Sequence, residues 1–381
     1  MTAPAALASS PHIEHVFYQP RRPMYWVYIG LLAFGGFNVA RLLFKYLELA
    51  PIALAISVVI NGILAWLFIK LINWIDLFER EPLSLLVAAV GWGAIVATGF
   101  AVHANGLVIT TAMKLGLDDW GPAISAPIDE ELLKIMGVIA VMVIGREYIH
   151  RAMDGLILGM MCGVGFEIVE NVLYGVQSAI ADVNSDVAAA VTTSLSRLTF
   201  GVGGHLIFTG IAGFGVGYVM TRRDRSMFNR ILVAAALLVV AWGLHFLWDA
   251  PFEGLITGPL MKYPILLIAF FLLYRYAVHR EWDWFSQTMA NQPDEVITKD
   301  EITAMRTLRG RHRARRRARR EGGILKKRQF RYLQDSQLGL AIALDRSHDP
   351  DNDPAVAARR EDITVARAAL TETEALPRYR P

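Results

Sequence analysis

Residues 123–145, AISAPIDEELLKIMGVIAVMVIG, read as a membrane-spanning helix that carries Asp129, Glu130, Glu131 and Lys134 in its first half. Each charged side chain near a bilayer centre costs roughly 2.5 to 3.5 kcal/mol, so adjacent carboxylates with a lysine one turn on are expected only where they face a polar cavity. Glu130 and Lys134 are four residues apart and Glu131 and Lys134 three, so either carboxylate can approach the ammonium on one helical face. The expectation is chemistry inside a membrane.

The rest of the chain agrees with that setting. Hydrophobic residues make up 54% of the 381, charged residues 19%, and mean hydropathy is +0.37. A hydrocarbon core of about 30 Å needs about 20 helical residues. Runs of that kind lie at 24–43, 51–73, 83–110, 123–145, 153–176, 196–220, 231–249 and 258–278, giving eight expected spans. The runs are continuous rather than alternating, which points to helices and away from a β-barrel. The first has no small-residue cleavage site after a short apolar core, so it reads as an uncleaved helix. The expected fold is all-α and polytopic: a segment 1–23, a membrane domain 24–278, and a tail 279–381 that is basic, partly disordered and able to bury little core.

Loop charges give an orientation. Arg21 and Arg22, Lys70 and Arg80, Arg146 and Arg151, and Arg222, Arg223, Arg225 and Arg230 fall on one side, while the alternate loops hold Arg41 and Lys45, Lys114 and Lys262. By the positive-inside rule both termini are cytoplasmic, and the chain is expected in the cell membrane. At 1.5 Å per residue, Glu130, Glu170, His205, His245 and Asp249 then share the outer half of the bilayer on four helices. Phe166, Glu170 and Tyr174 recur at intervals of four, as do His245 and Asp249, so a carboxylate can orient an imidazole. Such a set suits general acid/base work on water.

At these residues the chain resembles the PrsW family of intramembrane proteases, relatives of the CAAX prenyl-protease and bacteriocin-processing superfamily. Glu130-Glu131-Leu132-Leu133-Lys134 is similar to that family's Glu-Glu-x-x-Lys motif, and Phe166 to Glu170 with Asn171 and Tyr174 to its Phe-x-x-x-Glu motif. His205 stands at the third motif, and His245 to Asp249 resembles the fourth, His-x-x-x-Asp. Upstream, Glu79-Arg80-Glu81-Pro82 is similar to the family's acidic Glu-x-Glu-Pro loop. Asp129 and Glu167 are extra carboxylates, and the basic tail lies outside the resemblance. The prenyl-protease branch ends the first motif in arginine and the second in histidine, so this chain sits nearer the PrsW side.

The resemblance implies cleavage of a membrane-protein substrate, such as a single-span anti-sigma factor, near its extracytoplasmic side in a signalling cascade. Glu130 or Glu131 is expected to take a proton from water that His205 helps to position. His245, oriented by Asp249, would polarise the scissile carbonyl or hold the oxyanion. Glu170 and Asn171 would hold water or substrate backbone, and Lys134 the ionised pair. Family members are described both as metalloproteases and as metal-free enzymes. Zinc sites favour histidine and cysteine, and with two histidines, several carboxylates and no His-Glu-x-x-His spacing no cofactor is expected here. For a divalent metal such as zinc, Glu131, Glu170, His205 and His245 would be the ligands.

Other features have plainer readings. His103 is taken as structural and Asp154 as a helix cap, and Glu167 as a polar neighbour of the cavity. Gly155, Gly159 and Gly163, with Gly213 and Gly217, show the small-xxx-small spacing that brings helices close. Cys162 is the only cysteine, which excludes an intrachain disulfide. The arginine block from Arg306 to Arg320 reads first as a solvated charge run that anchors topology, with attachment to anionic lipid head groups as the alternative; without interleaved aromatic residues it does not suit nucleic acid. A short amphipathic helix is expected between Ala355 and Leu376. The rival readings are a proton-coupled transporter, which intramembrane carboxylates also permit but for which the two halves show no internal repeat, and a non-catalytic scaffold of the same fold.

Overall fold

A computed structural model describes residues 16–78, 80–182, 185–201, 203–252, 254 and 258–372, and among these all regular structure is helical. Two compact units are present, one of residues 1–75 with 81–274 and one of residues 76–80 with 275–381. Glu79, part of the expected acidic loop, and the end of the expected amphipathic helix, 373–376, lie outside the described residues.

The first unit contains α1 (Pro23–Leu49), α2 (Pro51–Ile75), α3 (Leu83–Gly91), α4 (Thr98–Lys114), α5 (Gly121–Ile144), α6 (Ala152–Ala181), α7 (Asp186–Phe200), α8 (Gly204–Thr221), α9 (Met227–Asp249) and the start of α10 (Pro259–Met289). A π-helical turn, Trp92–Ala97, joins α3 and α4 into one rod. Among the described residues, seven rods are long and apolar enough to cross a membrane. The remaining expected span, the fourth, is α5, which its four charged side chains set apart from those seven. Proline occupies the first turn of α1 and of α5, where its fixed φ suits a helix start and its missing N–H costs nothing. Asp154 caps α6 as expected, accepting from the backbone N–H groups of His150 and Arg151 at 2.7 and 3.0 Å.

α6 is the central helix, packed most extensively on α8. Along that seam a Cβ on Gly155 would lie 2.2 Å from the carbonyl oxygen of Gly213, one on Gly159 2.3 Å from that of Thr209, and one on Gly163 2.3 Å from that of His205. The glycines therefore let the two backbones touch. α5 turns Ile128, Leu132, Met136 and Ile139 outward and Glu130, Glu131 and Lys134 inward. Its polarity is thus inverted relative to a helix in water.

Two sequence expectations change here. The sixth span, 196–220, is not one helix: α7 ends at Phe200 and α8 begins at Gly204, across a break that includes Gly203 at φ +80°. Three glycines among residues 201–204 weaken helix propensity there, and a left-handed residue is cheap only for glycine. Arg41, Lys45, Lys114 and Lys262, read as loop charges, lie on helices α1, α4 and α10.

The second unit also departs from expectation. The end of α10, α11 (Lys299–Met305), α12 (Leu308–Arg346) and α13 (Pro354–Glu372) surround a core of Phe285, Met289, Ile297, Met305, Leu333, Leu340 and others, to which Leu77 and Phe78 of segment 76–80 belong. Arg311 is buried, donates to the carbonyl oxygens of Met305 and Leu77, and lies 4.6 Å from the Phe78 ring centre. Gly322 and Gly323 break α12 into two arms; Arg315 of the first reaches Gln334 of the second at 2.6 Å. A tail with little core was expected because its apolar residues are spaced widely among charges. They suffice because four helices and a distant loop pool them.

Candidate active site

The acidic pair enters the bundle from the N-terminal half of α5, Glu170 from the C-terminal half of α6, His205 from the first turn of α8, and His245 and Asp249 from the last turns of α9. These ends converge. Lys134 is fully buried at the centre. Its Nζ lies 2.6 Å from Glu131 Oε1, 3.6 Å from Glu130 Oε2, 2.8 Å from His205 Nδ1 and 4.2 Å from the Phe166 ring centre.

The two glutamates have different surroundings. Both oxygens of Glu131 are engaged: Oε1 meets Lys134 and, at 3.0 Å, His245 Nδ1, and Oε2 accepts from the Thr209 hydroxyl at 3.1 Å. Glu130 Oε1 accepts from Asn105 Nδ2 at 2.8 Å, whereas Oε2, also buried, accepts no hydrogen bond among the described residues. Around that oxygen stand His205 Nδ1 at 3.8 Å and His245 Nε2 at 3.9 Å. That oxygen lies within ion-pair range of Lys134 Nζ but accepts no hydrogen bond, so it has spare capacity to accept from something more.

That something has room. A cavity of about 110 Å³ is lined by residues that include Asn105, Glu130, Glu170, Arg197, His205 and His245. One water needs roughly 10–15 Å³ measured in this way, so several fit. His245 Nε2 faces Asp249 at 3.3 Å, the pairing expected from their spacing. The Phe208 ring stacks on His245 with centres 4.6 Å apart.

Glu170, which lines the cavity, and Asn171 share Arg197 as a partner. Glu170 Oε2 contacts His205 Nε2 at 3.0 Å and Arg197 Nη2 at 2.6 Å, while Arg197 Nε donates to Asn171 Oδ1. Asn171 is buried, and its Oδ1 is the acceptor for Arg197. Glu167, also buried, accepts from the backbone N–H of Gly203 at 2.8 Å and fixes the break before α8. Sequence reasoning missed Arg197, Asn105 and Thr209. Arg197 was placed at the outer end of a continuous span; the helix break puts it on α7, where it crosses to α6 and lies 4.3 Å from the Tyr174 ring centre.

Donor chemistry also fits a divalent ion. Glu130, His205 and His245 each offer one ligand atom, all within 4.8 Å of one another, and two histidines with one carboxylate plus an open position is a known catalytic zinc set. The sequence-based ligand set differs: Glu131 and Glu170 are committed to Lys134, His245, Arg197 and His205, and Glu130 takes the central place.

Ionisable side chains buried between spanning helices around a small polar-lined cavity are the setting of a polytopic membrane enzyme. Over residues 81–276 the chain matches the PrsW family intramembrane metalloprotease profile. It belongs to that family and is a multi-pass membrane protein and peptide hydrolase whose substrates are membrane proteins. A comparison with curated proteins and one with solved structures each found no match.

Proposed function

We propose that the chain is an endopeptidase that hydrolyses its membrane-protein substrate with a water activated by Glu130. The observation that carries this reading is the contrast between Glu130 Oε2, buried at the cavity without a hydrogen bond, and the two engaged oxygens of Glu131. A water seated between Glu130, His205 and His245 gives its proton to Glu130 as its oxygen attacks the scissile carbonyl. Glu131 holds the His245 ring through Nδ1, and Nε2–H, which faces Asp249 at 3.3 Å, turns its donation to the oxyanion that forms. As the C–N bond breaks, the proton on Glu130 passes to the leaving amine. Glu131 and Lys134 form the fixed charges behind the reacting groups, and the Arg197–Glu170 pair orients His205.

A second reading of the same residues is favoured by the Glu130, His205, His245 trio. A divalent ion held there would acidify a bound water and polarise the carbonyl. The test is cleavage of a single-span reporter by purified protein before and after treatment with a membrane-permeant chelator. Undiminished cleavage assigns water activation to Glu130 and the histidines; loss that zinc restores makes the trio an ion's ligands. Full cleavage by both Glu130→Gln and His205→Ala would end both readings.

We infer further that both termini are cytoplasmic, from the side-to-side bias of arginine and lysine, and that cleavage takes place near the extracytoplasmic face, with a single-span anti-sigma factor as a suitable substrate. Arg309, Arg313, Arg316 and Arg319, exposed on the first arm of α12, suit anionic head groups at the cytoplasmic surface.

A further inference from the structure

Away from the reaction centre, the membrane unit holds a cavity of about 170 Å³ between α1, α4 and α6. Its polar lining comes from Asn38, Arg41, Lys45, Thr98 and His103, and its walls are Val39, Leu42, Val102 and Leu173. Close packing at one point opens it: a Cβ on Gly35 would lie 2.7 Å from the carbonyl oxygen of Ile95, and one on Gly99 2.8 Å from that of Gly35. α1 and α4 touch at these glycines, and beyond them the larger Val39, Leu42 and Val102 hold the helices apart.

The charges around this cavity are unlike those of the reaction centre. There the buried charges sit beside one another; here Arg41 and Lys45, one turn apart on α1, have no acidic or hydrogen-bonding partner among the described residues. Both are exposed, as is His103, on rods that cross the membrane. The exposed face of a spanning helix is bathed in lipid, where an unpaired cation is costly, and the anions within lateral reach are lipid head groups. Arg41 and Lys45 lie eight and four residues before the end of α1 at Leu49, about 12 and 6 Å at 1.5 Å per residue, a depth that a phosphate and its glycerol can share.

We propose that this cavity binds the head group of an anionic phospholipid. Arg41 and Lys45 pair with the phosphate, Asn38 and His103 hydrogen-bond its oxygens or those of the glycerol, and Val39, Leu42, Val102 and Leu173 guide an acyl chain. A lipid seated there touches α4 and α6, which also carry Asn105 and Glu170. The site itself does not depend on the catalytic reading.

Native mass spectrometry of the full chain in detergent, titrated with phosphatidylglycerol, tests this. Wild-type protein should retain a lipid adduct that diacylglycerol does not form and that inorganic phosphate does not displace. Arg41→Ala with Lys45→Ala should weaken retention about 25-fold, taking about fivefold from each cation. Arg41→Gln alone, a milder change should the double variant not fold, should weaken it about fivefold. Arg41→Lys with Lys45→Arg should keep most of it. Retention unchanged in both loss-of-charge variants would overturn the site, since snorkelling cations give no selective binding. Displacement of the lipid by inorganic phosphate would overturn the lipid assignment.

Discussion

Replacing Gly163 with alanine tests whether the seam between α6 and α8 sets the geometry of the reaction centre. The added Cβ would lie 2.3 Å from the carbonyl oxygen of His205, while ordinary contact begins near 3.4 Å. The helices must therefore separate locally by the difference, about 1.1 Å, at the residue that carries the imidazole. A shift of that size lengthens the His205 Nδ1 to Lys134 Nζ contact from 2.8 Å to beyond hydrogen-bonding range. Misplacement by about 1 Å costs on the order of 100-fold in rate, and overpacking a tight seam costs about 1–3 kcal/mol of stability. The assay is the initial rate of cleavage of a reconstituted single-span reporter, normalised to monodisperse folded protein. Gly243→Ala is the control: it lies on α9 two residues before His245, yet nothing stands within 4 Å of its Cβ, and it should retain the wild-type rate. If Gly163→Ala keeps more than half the wild-type rate, the seam does not position His205 and the reasoning fails.

Glu130→Gln should fold normally and lose about 100-fold or more in rate, the range of a general base, whereas Glu131→Gln should also lower the yield of folded protein because Lys134, His245 and Thr209 all bond to it; equal yields with unequal loss in the opposite order would reverse the assignment. Lys134→Met leaves two buried carboxylates without their cation, at a cost of about 3–5 kcal/mol, and should show as a lower thermal unfolding midpoint in detergent; an unchanged midpoint contradicts the central role of the ammonium. Arg197→Ala should lower kcat about tenfold with little change in KM, because Arg197 acts through Glu170 and His205, and Arg197→Lys should recover part of the loss; a change confined to KM would make it a substrate contact instead. Arg311→Ala leaves the carbonyls of Leu77 and Met305 without their buried donor, about 1–3 kcal/mol each. Limited chymotrypsin digestion should then cut the helical tail faster, and equal protection would argue against that anchor.

Most of the membrane fold could be read directly, because bilayer thickness imposes a length and lipid imposes a composition on every span. The site residues on α5, α6 and α9 were equally legible, since carboxylates, histidine and lysine at helical spacing inside apolar runs are too costly in lipid to persist unless they face one another. What could not be read is what depends on backbone breaks and on pairing across helices. Arg197 looked like the end of a long span until the glycines at 201–204 divided it. Nothing local distinguishes Glu130 from Glu131; their difference comes from Thr209, Asn105 and His245, which are remote in sequence. The core of the tail was hidden for a related reason, since Phe285, Leu333, Val356 and Ile363 form no dense apolar run and are completed by Leu77 and Phe78, about two hundred residues upstream of the nearest of them.

The arrangement of α5 also constrains how the molecule is made. Its carboxylates and lysine leave the ribosome well before Thr209, His205 and His245, so α5 enters the membrane with Asn105 of α4 already made but without those later partners. Contact between Lys134 and Glu131 within the helix gives a locally compensated pair at that moment, but Glu130 and Asp129 remain in excess. Burying those charges in lipid is costly, so the segment is expected to stay at a wet edge of the growing bundle until α8 and α9 arrive.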